Sequence, residues 1–181
     1  MTTRDPIKIL ADIIQNQMAL EDEQVLVYNQ KWDLRPNYDL FVSVAVAGPS
    51  SPIGNTRRYV ATEQGGLKEV QKLHTYEPFN IEIFSRDASA LKRRNDLLLA
   101  LGSTFSQQQQ EKYGMRIDTI GSLQDLSSLE GTAILNRYRQ SIGVYYTCTK
   151  EADVDYFNRF RLKLFTDPKR EVKDIDIQEN K

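Results

Sequence analysis

Five cations stand at alternating positions in the last third of the chain: Arg137 and Arg139, then Arg159, Arg161 and Lys163, with Tyr145 and Phe157 interleaved. Guanidinium forks grip carboxylates and phosphates through two parallel hydrogen bonds, and flat aromatic faces stack on bases or on other rings. Such a set either holds an acidic protein surface or tracks a nucleic-acid strand. The aromatic spacing matches no RNA-recognition signature. The 24 Lys and Arg of the chain are offset by 25 Asp and Glu, so no whole-molecule field draws a polyanion. A subunit interface is the favoured use, and these seven residues are its expected contact set.

Other chemistry has thinner support. His74, the sole histidine, has the type of a general base, yet it sits in the strand-like run Lys72-Leu73-His74-Thr75-Tyr76 with no nucleophile elbow in the chain. A half-buried strand histidine is the plainer reading. The sole cysteine, Cys148, excludes an internal disulfide and any Cys-rich zinc site, and alternation with Val144 and Tyr146 predicts a buried, inert thiol. Gly54-Asn55-Thr56-Arg57-Arg58 lacks the Lys-Ser/Thr ending of a phosphate loop. Asp167, Glu171 and Lys173 are too tightly spaced for a nuclease carboxylate cluster, and the acid pairs Asp153/Asp155 and Asp174/Asp176 suit solvated turns and tails. The expectation is a protein that is not an enzyme, with no catalytic residues, no metal and no cofactor.

The length, 181 residues, suits one domain. No run approaches the ~20 apolar residues of a membrane span, and the opening Met-Thr-Thr-Arg-Asp-Pro has no signal-peptide core. A reducing cytoplasm is the expected site of synthesis.

Two main helices are marked. Asp5 caps the first and Pro6 suits its first turn, with Ile7, Leu10, Ile14 and Met18 as the apolar stripe. Asp87 caps the second, with Ala90, Leu91, Leu97, Leu98 and Leu101 as its buried stripe and Gly102 as its stop. Thr104 and Gln107 open a shorter, solvated helical stretch through four glutamines to Tyr113, closed by Gly114. A strand runs from Tyr38 to Ala47, with Leu40, Val42, Val44 and Val46 on one face. Residues 48–55 read as an exposed loop, and Pro78 as a break in the extended stretch that ends at Phe84. Met115 to Ile120 is a further strand.

Ala133–Thr149 and Val154–Thr166 are rich in β-branched and aromatic residues and flank Lys150–Asp153, which predicts a long antiparallel hairpin. Ile134, Tyr138, Ile142, Val144 and Tyr146 share one face of its first arm. Seventeen extended residues span ~56 Å, beyond the ~40 Å diameter of a compact chain of this size. Either a neighbouring subunit covers the projecting ribbon, or a bulge near Gly143 curls it back. The expected fold is α+β: a mixed, largely antiparallel sheet flanked by two main helices, with a long C-terminal β-hairpin. Residues 1–166 form the domain and 167–181 a charged, solvated tail.

Two segments carry a resemblance. Leu97 to Phe105, leading through Gln107–Gln110 into Tyr113-Gly114-Met115-Arg116-Ile117, is one. Leu129-Glu130-Gly131-Thr132-Ala133-Ile134-Leu135-Asn136-Arg137-Tyr138, followed by Val144-Tyr145-Tyr146-Thr147, is the other. Together, over roughly residues 25–166, they resemble the neck or tail-terminator proteins of tailed bacteriophages. The resemblance implies a structural virion protein, assembled in the host cytoplasm, that forms a ring, commonly a hexamer, at the head-proximal end of the tail. Its implied partners are further copies of itself, the tail-tube protein and the head connector or stopper protein, with genomic DNA passing through the lumen without sequence-specific binding and no membrane. A head-completion or stopper protein, and a nucleic-acid-binding module using the cationic face, are the alternatives.

Overall fold

The computed structural model describes residues 5–27, 39–63, 66–130, 133–154, 159–167 and 170–178, and for 130, 133 and everything from 159 onward the backbone alone. The elements are α1 (Pro6–Met18), a 3-10 turn (Asp22–Gln24), β1 (Val25–Val27), β2 (Phe41–Val46), β3 (Ser51–Ala61), β4 (Leu67–Ser85), α2 (Ser89–Leu101), α3 (Thr104–Tyr113), β5 (Met115–Asp125), β6 (Ser128–Glu130), β7 (Ala133–Val154), β8 (Arg159–Asp167) and β9 (Arg170–Gln178). The fold is α+β. Among the described residues a seven-stranded sheet runs β1-β2-β4-β7-β5, with β3 also paired to β4 and β6 to β7; β8 and β9 pair only with each other. β1 lies parallel to β2, while β2–β4, β5–β7, β6–β7 and β8–β9 are antiparallel.

The chain divides into two compact units, Met1–Thr56 with Lys72–Thr149, and Arg57–Gln71 with Lys150–Lys181. The first contains the main core. Asp5 Oδ1 accepts the Ile7 N–H at 3.2 Å, and Pro6 fills a first-turn position that needs no donor. The stripe of Ile9, Leu10, Ile13, Ile14 and Met18 then joins one buried cluster with Val42, Val44, Phe79, Ile81, Ile83, Ile142 and Val144 of the sheet and Leu97, Ala100 and Leu101 of α2. Arg93 of α2 donates to the Met18 carbonyl at 2.5 Å, which satisfies an acceptor left free at the end of α1 and places a cation at its negative pole.

Asp87 works one residue earlier than expected. Its Oδ1 accepts the Ser89 N–H at 2.9 Å and its Oδ2 accepts the Ser89 hydroxyl at 2.7 Å, while Ser85 Oγ accepts the Ala90 N–H at 2.9 Å. The hydroxyl and amide of Ser89 hold the Asp87 carboxyl below its ordinary value. The buried stripe of α2 is Ala90, Leu97, Ala100 and Leu101; Leu91 and Leu98, expected inside, are exposed. The helix carries leucine around more of its circumference than the sheet covers. α3 is solvated as expected, and Gly114 closes it at φ +62°, a left-handed position suited to glycine.

The strands correct three further expectations. β4 runs through Pro78 without a break, and the irregularity falls on the facing chain between β2 and β3, where the Ala47 N–H donates to the Pro78 carbonyl at 2.8 Å. Most of the expected loop at 48–55 is strand, since β3 starts at Ser51 with Pro52 near its beginning, a tolerated position for a residue with no ladder donor. Against β5, Gly143 pairs in register with Asp118; the bulge lies on β5 instead, between Ile120 and Gln124 and opposite Ser141 and Arg139, with Gly121 at φ +68°. The buried Gln140 serves that bulge: its Nε2 donates toward the carbonyls of Ser141 at 2.9 Å and Ile120 at 3.2 Å, with Gly121 O at 3.5 Å.

The C-terminal hairpin has different arms from those expected. Ala133–Thr149 does not turn at Lys150–Asp153 to meet Val154–Thr166. β7 extends through those residues, which hold no glycine or proline, and takes β5, β6 and β4 as neighbours. The hairpin is β8–β9, so residues assigned to a solvated tail supply a strand. Its register explains the choice. Arg161 stands opposite Asp176 and Lys163 opposite Asp174, while Phe160 faces Ile177 and Leu162 faces Ile175. Opposite charges and matched apolar residues in direct register are favourable cross-strand pairs.

Candidate interaction face

Alternation along β7 sends Tyr138, Ile142 and Val144 into the core and Arg137, Arg139, Ser141, Gly143 and Tyr145 to the other face. Three of the seven expected contact residues, Arg137, Arg139 and Tyr145, therefore share one face. Arg159, Arg161 and Lys163 lie on β8 in a separate sheet, and Phe157 lies outside the described residues. Ile134, expected on the same face as Tyr138 and Ile142, is exposed.

The two β7 arginines have an internal partner. Glu82 on β4 is nearly buried, and the Arg137 Nε donates to its Oε2 at 2.8 Å while its Nη2 bonds the same oxygen. Arg139 reaches Oε1 through Nε at 2.6 Å and Nη2 at 2.5 Å. One carboxylate is thus shared by two guanidiniums, leaving one net positive charge in the cluster. The signal for this was Ile81-Glu82-Ile83, a lone acid between two core residues, whose side chain must leave on the opposite face.

Further along, Ser141 donates to Asn80 Oδ1 at 2.8 Å, the Tyr76 and Tyr145 rings lie 5.1 Å apart at 52°, and His74 Nδ1 and Thr147 Oγ1 are 2.9 Å apart. Tyr76 covers Gly143 so closely that a Cβ there would fall 2.5 Å from its ring. Beside this run is an open groove of about 320 Å³, lined by Ile53, His74, Met115, Arg116, Tyr145 and Thr147 among others. His74 thus sits half-buried in a strand, as expected, with Thr147 beside it. Cys148 is exposed, against expectation, because β7 has by then run past the core. Half-buried Tyr146 donates to Glu77 Oε2 at 3.1 Å, and burial first, then that carboxylate, raises its phenol to about 12.

Among the described residues no group of three His, Cys, Asp or Glu stands together to hold a metal ion, and no helix is long and apolar enough to cross a membrane. The face offers aromatic surface, amide and hydroxyl groups, and a small surplus of positive charge. No protein-family model matches the chain, and no curated protein matches it in sequence.

Proposed function

We propose that the chain is a structural virion protein of a tailed bacteriophage, forming a ring of copies, commonly six, at the head-proximal end of the tail. There it ends tail-tube growth and joins the tube to the head connector. The observation that carries this reading is β3. It is a strand of eleven residues, none of them buried, with Ile53, Tyr59 and Val60 exposed at 59%, 54% and 42%. Adjacent residues of a strand point to opposite faces, so Tyr59 and Val60 leave apolar surface open on both. An edge strand in that state is completed by another chain. The nucleic-acid reading is weaker, since Glu82 already engages Arg137 and Arg139, and Arg161 and Lys163 stand in register with Asp176 and Asp174.

Light scattering on the purified protein, and negative-stain images of it mixed with tail tubes, test the proposal. Rings that cap tube ends are the expected result. Binding only to portal-bearing heads would move the chain to the stopper role, and a lone monomer that ignores tubes would overturn the proposal.

A further inference from the structure

The hairpin of β8 and β9 is a sheet of two strands, and among the described residues neither strand has another neighbour. Two strands alone are marginal in water; further strands make such a sheet stable. Each outer edge is a row of backbone donors and acceptors, which is a template for one more strand. From Arg159 to Leu164 the register with Lys173–Gln178 is unbroken, about 20 Å of ladder.

Alternation sorts these residues onto two faces. One has Phe160, Leu162 and Leu164 on β8 with Ile177, Ile175 and Lys173 on β9; the other has Arg159, Arg161 and Lys163 on β8 with Gln178, Asp176 and Asp174 on β9. On that second face every cation stands on one strand and every acid on the other, so the hairpin has a cationic edge and an anionic edge. Pairing within the hairpin does not use these positions up. A strand inside a sheet has a neighbour on each side, and each of its residues stands between two cross-strand partners.

The sign of each edge selects what joins it. Two β8 edges laid together would set Arg161 and Lys163 among cations, and two β9 edges would set Asp174 and Asp176 among acids; like charges directly opposite are destabilising. Unlike edges match on both faces, repeating between copies the pairs already made within one. The strand that the β8 edge calls for alternates acids with aliphatics, and Asp174-Ile175-Asp176-Ile177 of another copy is such a strand.

We propose that β9 of one copy adds antiparallel to the open edge of β8 of the next, and so on through every copy. Strand direction then alternates throughout. Positive and negative columns alternate on one face, and the aliphatics form a continuous band on the other, the face that an antiparallel sheet turns toward a core. The contact joins two different surfaces, so it runs head to tail and closes into a ring when its rotation permits. It rests on the reading above for the closed ring, while the choice of edges comes from register and charge.

Exchanging the two edges tests it. A chain with Arg159→Gln, Arg161→Asp, Lys163→Asp, Asp174→Lys, Asp176→Arg and Gln178→Arg keeps its net charge and every opposed pair of its own hairpin, but carries each sign on the other strand. It is tagged and co-expressed with untagged wild-type chain. Each chain is expected to assemble with itself by light scattering, and the tagged exchanged chain to retain at least tenfold less wild-type chain than a tagged wild-type chain does. Equal retention overturns this contact and leaves the ring standing. A wild-type protein that stays a single chain, alone and with tubes, overturns both. Where the exchanged chain fails to fold by circular dichroism, or folds without assembling, cross-linking decides. Lys163→Cys and Asp174→Cys chains, both with the exposed Cys148 changed to Ser, are mixed and mildly oxidised. The reducible mixed dimer is expected at least tenfold above the Lys163→Cys homodimer, and equal yields overturn the contact.

Discussion

β2 and β3 pair with the same strand, β4, and have little else in common. In β2, Phe41, Val42, Ser43 and Val44 are all buried; in β3 no residue is. Pairing gives both the same extended backbone, so hydrogen bonding does not account for the difference. Layering does. β2 lies where α1 and α2 cover the sheet, and Leu40, Val42 and Val44 meet that cover. β3 reads Ser-Pro-Ile-Gly-Asn-Thr-Arg-Arg-Tyr-Val-Ala, with no alternation to present to a core. β4 itself changes along its length: residues 79 and 81–85 are buried, while most of the preceding twelve are only half-buried. A strand here is therefore a conduit from a finished interior to an unfinished surface.

The sharpest way to break this comparison is to cut equal side chains on its two sides. Ile81→Ala, inside the core, is expected to cost about 2–5 kcal/mol by transfer and cavity terms, and Ile53→Ala, on β3, to stay within about 0.5 kcal/mol. Urea unfolding of the isolated chain reads both, and equal losses would remove the distinction. A smaller effect belongs at Gly143, where Tyr76 leaves no room for a Cβ. Gly143→Ala is expected to cost about 1–3 kcal/mol through overpacking, and clearly less in a Tyr76→Ala background. An unchanged cost in that background would show that the contact with Tyr76 is not its source.

The smallest effect is a pH dependence at the margin of the covered zone. Tyr146 keeps its proton in the folded chain up to about 12, whereas an unfolded tyrosine loses it near ~10. Between those values the unfolded chain binds fewer protons, so stability falls as pH rises; below about pH 10 the contribution is fully present. Tyr146→Phe is expected to flatten that part of the profile in pH-resolved denaturation. A wild-type slope retained by the variant would place its origin at another group.

The sequence made some of this legible. Asp5-Pro6 followed by aliphatics at three- and four-residue steps is enough to set α1, its cap and its buried face, because a helix end and a helix stripe are local properties. The same holds for the inward set Tyr138, Ile142 and Val144. What failed was partner choice. Lys150–Asp153 looked like a turn because two strand-like runs flanked it, yet no residue in it forces a reversal. The true return of β8 was written in Asp174-Ile175-Asp176-Ile177, an alternation complementary to Arg161-Leu162-Lys163-Leu164, and it was hidden by high charge that suggested a solvated tail. For the interaction face, the alternation of Arg137, Arg139 and Tyr145 was readable. The link of the two arginines to Glu82 was not, since it spans fifty-five and fifty-seven residues of sequence.

Gln140 has a consequence for how the sheet is assembled. If β5 slid two residues along β7, every side chain would keep its side of the sheet, and the apolar pattern would raise little objection. The carboxamide would object. The carbonyls it meets at Ile120 and Gly121 would move on, leaving it only the Ser141 carbonyl of its own strand. It acts as a detent, a notch that lets two sliding rails click at a single setting. Lengthening or shortening the chain between Gly121 and Gln124 would accordingly be felt in the middle of the protein rather than absorbed at its rim.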